Sequence, residues 1–320
     1  MKAILILIFL FISFREVSYS QKLTLLGHID VHPDEFVTDV WGYVDPANNK
    51  EYAITGAFNG LEIIDVSIPS SSRKVASLDV PGFDMKVWKN YLYTVTGGGG
   101  INLGKIVDIS DPENPAVVDS FNSAHNIFIS ETGYLFAEIP GLTVYNLNVD
   151  PLNPVFIWSD GTDDGHDALV VGNMLYDFHG ASGTNIYELI YGTPLVIQYR
   201  GTICSPLINY HHSGWTSEDG RYLFICDEGA VHPGNDITVW NVSDPMNPEM
   251  VEEFADPSAT VHNLYVIGNY AYVSYYTSGF RVLDVSDPEN ITVAAHYDTS
   301  PDSGEGFSGD FGVYPFFSSG

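Results

Sequence analysis

The sequence predicts an all-β fold, a seven-bladed β-propeller of four-stranded antiparallel blades. Three observations predict it: a phrase that recurs at blade length, strand chemistry in every copy, and no helical periodicity beyond the N-terminal segment. The phrase reads apolar-x-apolar-apolar-Asp-apolar-Ser-(Asp)-Pro. It occurs as LEIIDVSIP from Leu61, KIVDISDPENP from Lys105, LTVYNLNVDPLNP from Leu142, ITVWNVSDPMNP from Ile237 and FRVLDVSDPEN from Phe280, with a weaker copy, TNIYELIYGTP, from Thr184. Aligning Asp65, Asp108, Asn146, Glu188, Asn241 and Asp284 gives intervals of 43, 38, 42, 53 and 43 residues. A period of about 40–45 residues is one four-stranded blade.

Helical repeats have similar periods, so local chemistry decides. The repeated cores are rich in Val, Ile, Tyr and Phe, and Asp-Pro, Asn-Pro, Gly-Asn and Gly-Gly turns separate them, which is the grammar of strands. In the second unit the four strands are FDMKVW from Phe83, YLYTVT from Tyr91, GKIVDIS from Gly104 and AVVDSF from Ala116. The Ser-Asp-Pro-x-Asn-Pro element between the last two suits a tight corner, because proline fixes φ and Asp or Ser caps the turn with its own side chain. Calcium binding is the alternative for these acidic turns.

Innermost strands are expected to start near Thr38, Phe83, His125, His166, His212, His262 and Phe307, hence seven blades. The segment KLTLLGHID reads as the outer strand of the last blade and GFSGDFGVYPFFSSG as its inner strand. Pairing them closes the ring and removes an open edge. That blade lacks its middle strands, so the ring is expected to be incomplete at the C-terminus.

Residues 1–20 read as a secretory signal peptide: Lys2, an apolar run from Ala3 to Phe14, then Ser18 and Ser20 before Gln21. The run is too short for a bilayer span, which needs about 20 residues. Residues 21–320 form a single propeller domain, secreted or at the cell surface, with no membrane-spanning segment after cleavage. With 41 acidic and 12 basic residues the net charge is -29. Nucleic acid and anionic lipid are therefore excluded as partners, since both are bound through basic residues. Clustered carboxylates can instead bind divalent cations or simply form a soluble acidic exterior. Cys204 and Cys226 can form one disulfide, closing a loop of about 22 residues worth roughly 3 kcal/mol, or remain two free thiols.

The repeats GLEIIDVS, GFRVLDVSDPEN and ITVWNVSDPMNP resemble the bacterial LVIVD repeat. The stretches VTDVWGYVDPANNKEYA, SAHNIFISETGYLFA, HHSGWTSEDGRYLFICDE, HNLYVIGNYAYVSYYTSGFRVLDVSD and GFSGDFGVYPFF are similar to the choice-of-anchor B family of bacterial surface proteins. The resemblance spans nearly the whole chain after the signal peptide. It implies a further strand pair and often a sorting tail after the VYPFF-type segment, and it implies no enzymatic activity that attaches to named residues.

One constellation carries chemistry. His125, His166, His212 and His262 share one repeat position, followed by Asn126, Asp167, Ser213 and Asn263, with Asp39 and Asp84 at that second position in the earlier units. At the start of an innermost strand these positions border the central channel. A metal or ligand site, with His125, His166, His212 and His262 as candidate ligands for zinc or calcium, competes with histidines that merely bond a neighbouring blade's backbone. Reach is the objection, since packed sheets lie about 10 Å apart. DGTDDGHD from Asp160 concentrates carboxylates without EF-hand spacing. Asp227 and Glu228 stand where they can face the channel mouth of His211 and His212 or form a charged loop. GGGG at Gly97–Gly100 lacks the helix of a phosphate cradle, and no nucleophile elbow, His-Glu-x-x-His or Cys-x-x-Cys occurs.

The expected function is a non-catalytic binding or scaffold module for an extracellular protein or glycan, to which 20 tyrosines can contribute contacts. The alternative is a metal-dependent extracellular hydrolase or lyase, with the histidines as ligands and Asp84 or Asp167 as general base.

Overall fold

The computed structural model describes residues 21–31, 36–205, 207–229, 236–256 and 259–319. The expected signal peptide lies outside the described residues. Six antiparallel four-stranded sheets follow one another along the chain. Blade 1 contains Val37–Val44, Glu51–Ala57, Leu61–Asp65 and Arg73–Leu78. Blade 2 contains Asp84–Trp88, Tyr91–Val95, Gly100–Asp108 and Ala116–Ser123, matching the four strands read from the sequence of that unit. Blade 3 runs from Asn126–Ile129 to Val155–Ser159, blade 4 from Asp167–Val171 to Val196–Ile203, blade 5 from His211–Thr216 to Glu249–Phe254 and blade 6 from Leu264–Ile267 to Thr292–Tyr297.

Burial follows strand position. The second strands are enclosed by neighbouring blades and are buried on both faces, as in Tyr134–Glu138. The fourth strands are rim strands and carry charge, as in Arg73–Leu78 and Glu249–Phe254. Five apolar clusters each join consecutive blades. Between blades 1 and 2, for example, Ile54, Leu61 and Ile63 meet Met85, Leu92 and Val107, all fully buried. Each such side chain contributes roughly 1.5–3 kcal/mol by leaving water.

The conserved phrase of the repeat is a turn device. The side-chain oxygen of Asp65, Asp108, Asn241 and Asp284 accepts the backbone N–H two residues on, from Ser67, Ser110, Ser243 and Ser286 respectively. Carboxylate and carboxamide serve equally, which identifies a local turn and accounts for the phrase without calcium.

The propeller has six blades, not seven. Phe307, expected to open a seventh, is exposed and begins no strand. Residues 307–319 instead form no strand, and one isolated bridge, between Asp310 and Tyr276, ties them to the sheets. They pass between blades 6 and 1. The Tyr314 ring covers Gly42, where a Cβ would stand 2.0 Å from it; Phe316 packs on Trp215 and Tyr265, and Ser318 and Ser319 bond Glu51. At the other end Gln21–Lys22 pairs with Thr292–Tyr297 in parallel, as a fifth strand of blade 6. The two terminal segments therefore do not combine into a sheet of their own. Cys204 is exposed and Cys226 buried, and both are free thiols here.

Candidate metal centre in the propeller channel

Each blade turns its first strand to the axis, and period-2 alternation sends every other side chain into the channel. The lower lining is Asp39 and Trp41, Asp84 and Lys86, Asn126 and Phe128, Asp167 and Leu169, Ser213 and Trp215, Asn263 and Tyr265. Above it, the residues just before Asp84, Asn126, Asp167, Ser213 and Asn263, together with Phe311, form a closed ring of six aromatic side chains. Centroids are 4.9 Å apart for Phe83–His125, 4.6 Å for His125–His166, 4.2 Å for His166–His212, 4.5 Å for His212–His262 and 4.1 Å for His262–Phe311. Phe311 and Phe83 close the circle at 6.1 Å. Blade 1 offers Thr38 at this position, and its hydroxyl turns away to bond Gly82 O at 2.5 Å. Phe311 from the C-terminal segment takes the vacant place.

The expected reach of 10 Å between sheets does not apply, because blades radiate from the axis and their inner edges approach closely. Three of the four imidazoles are oriented by backbone acceptors, while His212 Nδ1 has no hydrogen-bond partner among the described residues. Nδ1 of His125 lies 2.8 Å from Gly97 O, that of His166 3.1 Å from His212 O, and that of His262 bonds Phe311 O. Anchoring Nδ1 leaves Nε2 to other partners.

Glu228 lies against the ring. Its Oε2 is 3.5 Å from His212 Nε2 and its Oε1 3.7 Å from His262 Nε2, while the Tyr276 hydroxyl donates to Oε1 at 2.5 Å. Burial pushes its carboxyl up to about 7. One ligand atom each from His166, His212 and Glu228 lie within 4.8 Å of one another. Burial, reinforced by neighbouring imidazoles, lowers His166 to about 3 and His212 well below the ordinary value, and burial likewise takes His262 to about 3. At neutral pH these rings are uncharged, the form that ligates metal.

The second tier is partly neutralised from within. Lys86 Nζ lies 3.3 Å from Asp39 Oδ2, bonds Asp84, and sits 4.6 Å above the Trp41 ring. Burial raises Asp39 to about 7. Burial also acts on Asp84, but Lys86 and the Ile127 N–H, at 2.7 Å, bring that carboxyl below its usual value. Burial and the nearby Asp84 charge outweigh Lys86 at Asp167 and push its carboxyl up to about 8. Asp84 is thus committed to a lysine and a backbone amide, and Asp167 holds its proton at neutral pH; neither is poised as a general base.

Of the sequence candidates, His166 and His212 converge with Glu228, His262 touches the same carboxyl, and His125 flanks them. Asp39, Asp84, Asn126, Asp167 and Asn263 line the tier below. Asp227, beside Glu228, instead accepts the amides of Asn209, Tyr210 and Gly229. Tyr276 and Phe311 escaped sequence reasoning, having no counterpart in the repeat. Lys86 was legible in principle, as a lone lysine in an alternating inner strand. The enclosed space at the ring is about 50 Å³, room for a few waters. The opposite mouth opens into a cavity of about 780 Å³ bordered by Trp41, Phe128, Tyr191, Trp215, Tyr314 and Phe316.

Fold and channel define the class: a six-bladed, four-stranded β-propeller. The chain carries the LVIVD repeat, matched at residues 50–80, 83–123 and 259–299, which fall in blades 1, 2 and 6. No curated protein matches it. Among solved structures it is similar to a provisionally assigned 6-phosphogluconolactonase from Bacteroides fragilis, at 11% identity over 90% of this chain and 88% of that one, with a TM-score of 0.63. It is also similar to the periplasmic gluconolactonase PpgL of Pseudomonas aeruginosa, at 13% identity over 86% of each chain, TM-score 0.59. The β-propeller domain of Myceliophteria thermophila Cps50 (Swd1) matches at 10% identity over 78% of this chain and 94% of that one, TM-score 0.52. At these identities the likeness is one of fold.

Proposed function

We propose that this propeller is a secreted or surface-exposed recognition module, of the choice-of-anchor B kind, whose channel mouth carries a divalent transition-metal ion on His166, His212 and Glu228. The observation that carries the reading is the convergence of those three ligand atoms within 4.8 Å. Two neutral imidazoles and a carboxylate are a zinc-type donor set, and a carboxyl near 7 releases its proton to an arriving cation at little cost. Export is read from the first 20 residues.

The small volume at the ring favours recognition over turnover, since small-molecule sites usually offer about 300–1,000 Å³. The roomier opposite mouth presents aromatic faces beside Glu131 and Glu218. That combination suits an extracellular glycan, whose C–H faces stack on aromatic rings while its hydroxyls donate to carboxylates, or an extracellular protein contributing similar groups.

A second reading, a metal-dependent hydrolase or lyase, is favoured by one feature: three protein ligands leave a coordination position open. The names of the gluconolactonase neighbours add nothing beyond fold. Metal analysis of chelator-free protein separates the readings. One equivalent of zinc or a similar ion, lost in His212→Ala, together with glycan binding that Trp215→Ala abolishes and no hydrolysis of that glycan, is the expected result. Absence of bound metal, with thermal stability unmoved by added zinc, would falsify the channel site; cleavage of the bound glycan would select the enzyme.

A further inference from the structure

We infer that Glu138, Asp160, Asp177 and His179 form a second divalent-metal site, wedged between blades 3 and 4. Glu138 ends the second strand of blade 3, Tyr134–Glu138, and Asp160 follows that blade's last strand. Asp177 lies in the second strand of blade 4, Met174–Phe178, with His179 just beyond it. Ligand atoms of Asp160, Asp177 and His179 lie within 4.8 Å of one another. His179 Nε2 is 2.7 Å from Asp177 Oδ2 and 3.6 Å from Asp160 Oδ2.

The second observation is Glu138. It is 0% exposed, and neither of its carboxyl oxygens has a hydrogen-bond partner among the described residues; the same holds for Asp177 Oδ1. Its electrostatic neighbours are Asp177, whose carboxyl lies within reach of a shared proton, Asp167 and Asp160, all acidic. Buried polar atoms are normally paired, and the buried carboxylates of Asp39, Asp84 and Asp227 follow that rule. Asp39 and Asp84 have Lys86, and Asp227 has three amides. Here three carboxyls share one imidazole, and no Lys or Arg ion pair reaches them among the described residues. Such a group needs a cation or retained protons.

The backbone is shaped to the cluster. Gly165 passes so close to Glu138 that a Cβ would stand 2.3 Å from its Oε2, and a Cβ on Gly141 would stand 2.2 Å from Thr162 O. The Thr162 amide and hydroxyl both donate to the Asp160 carboxyl, at 3.1 and 2.5 Å, and fix its position. Hence the acidic run DGTDDGHD is not one site. Asp160 enters the interblade cluster, Asp164 accepts from Ser182, and His166 and Asp167 enter the channel.

Three carboxylates and one imidazole suit Mn²⁺ or Zn²⁺ better than Ca²⁺, which prefers six to eight oxygens. The test uses the full chain carrying His212→Ala and Glu228→Gln, which removes the channel ligands, titrated calorimetrically with MnCl₂, ZnCl₂ and CaCl₂ at neutral pH. One equivalent of Mn²⁺ or Zn²⁺ is expected, binding more tightly than Ca²⁺. Adding the isosteric Glu138→Gln weakens it at least about tenfold, a loss that even outer-shell partners produce. Asp177→Asn does the same, and both variants keep the wild-type β-sheet circular dichroism. No equivalent in the channel-deficient chain, or one indifferent to Glu138→Gln, overturns the site and assigns the cluster to retained protons. The channel reading is scored separately, by the equivalent that His212→Ala removes.

Discussion

His212 Nε2 stands 3.5 Å from Glu228 Oε2, across the junction of the first strand of blade 5 and the end of its second. Histidine and carboxylate belong to one hairpin, so their approach is set locally; only His166, from blade 4, has to be brought in by packing.

Metal binding at that pair is expected to stabilise the fold. At a free zinc concentration 100 times the dissociation constant, wild-type protein gains about 2.7 kcal/mol. In His212→Ala the gain disappears. Thermal melts with and without zinc, after chelator treatment, measure it.

Lys86 bonds both Asp39 and Asp84 in the channel tier. Replacing it with methionine leaves two buried carboxyls without their partner and is expected to cost about 3–5 kcal/mol. Restoring neutrality with Asp39→Asn and Asp84→Asn in the same chain recovers most of the loss. Urea unfolding of the two variants tests this, and equal stabilities for Lys86→Met and wild type would remove the ion pairs from the account.

Blades 1 and 2 meet through backbone at Gly56, where a Cβ would stand 1.9 Å from Gly82 O. Neither partner is a flexible side chain, so Gly56→Ala forces the blades apart. A loss of about 3 kcal/mol, at the upper end of overpacking costs, is expected in chemical denaturation.

Burial raises Asp310 from 3.8 to about 7. Between those values the folded protein holds a proton that the unfolded chain has released. Its contribution is therefore complete below about pH 4 and is lost as pH rises through 7. Asp310→Asn is expected to flatten that part of the stability profile. Melting temperatures of variant and wild type at pH 5 and pH 8 give the comparison, and an unchanged slope would discard it.

Much of the fold was legible because its signals are local. The strands of the second unit could be drawn from alternation and turn residues alone, and each repeated Asp or Asn caps its turn within two residues. The histidine column was legible for the same reason: duplication kept His125, His166, His212 and His262 in one phase. The blade count was not. Phe307 follows a glycine much as Phe83 does, but the ring uses Phe311, four residues later, because that position packs against His262 and Phe83. Glu138, Asp160, Asp177 and His179 carried no common signal, since they come from two blades and are separated by ordinary strand residues.

The sequence by itself determined the all-β architecture, the blade length and the phase that turns a histidine to the axis in each of blades 3 to 6. Backbone alternation and side-chain capping act over a few residues, so they are written in the order of the chain. Tertiary structure alone decided that six blades close the ring, that Phe311 occupies the place blade 1 leaves open, and that His166 is brought to the His212–Glu228 pair. Those outcomes depend on the angle between packed blades and on which distant segment fills the remaining gap, quantities no local pattern encodes.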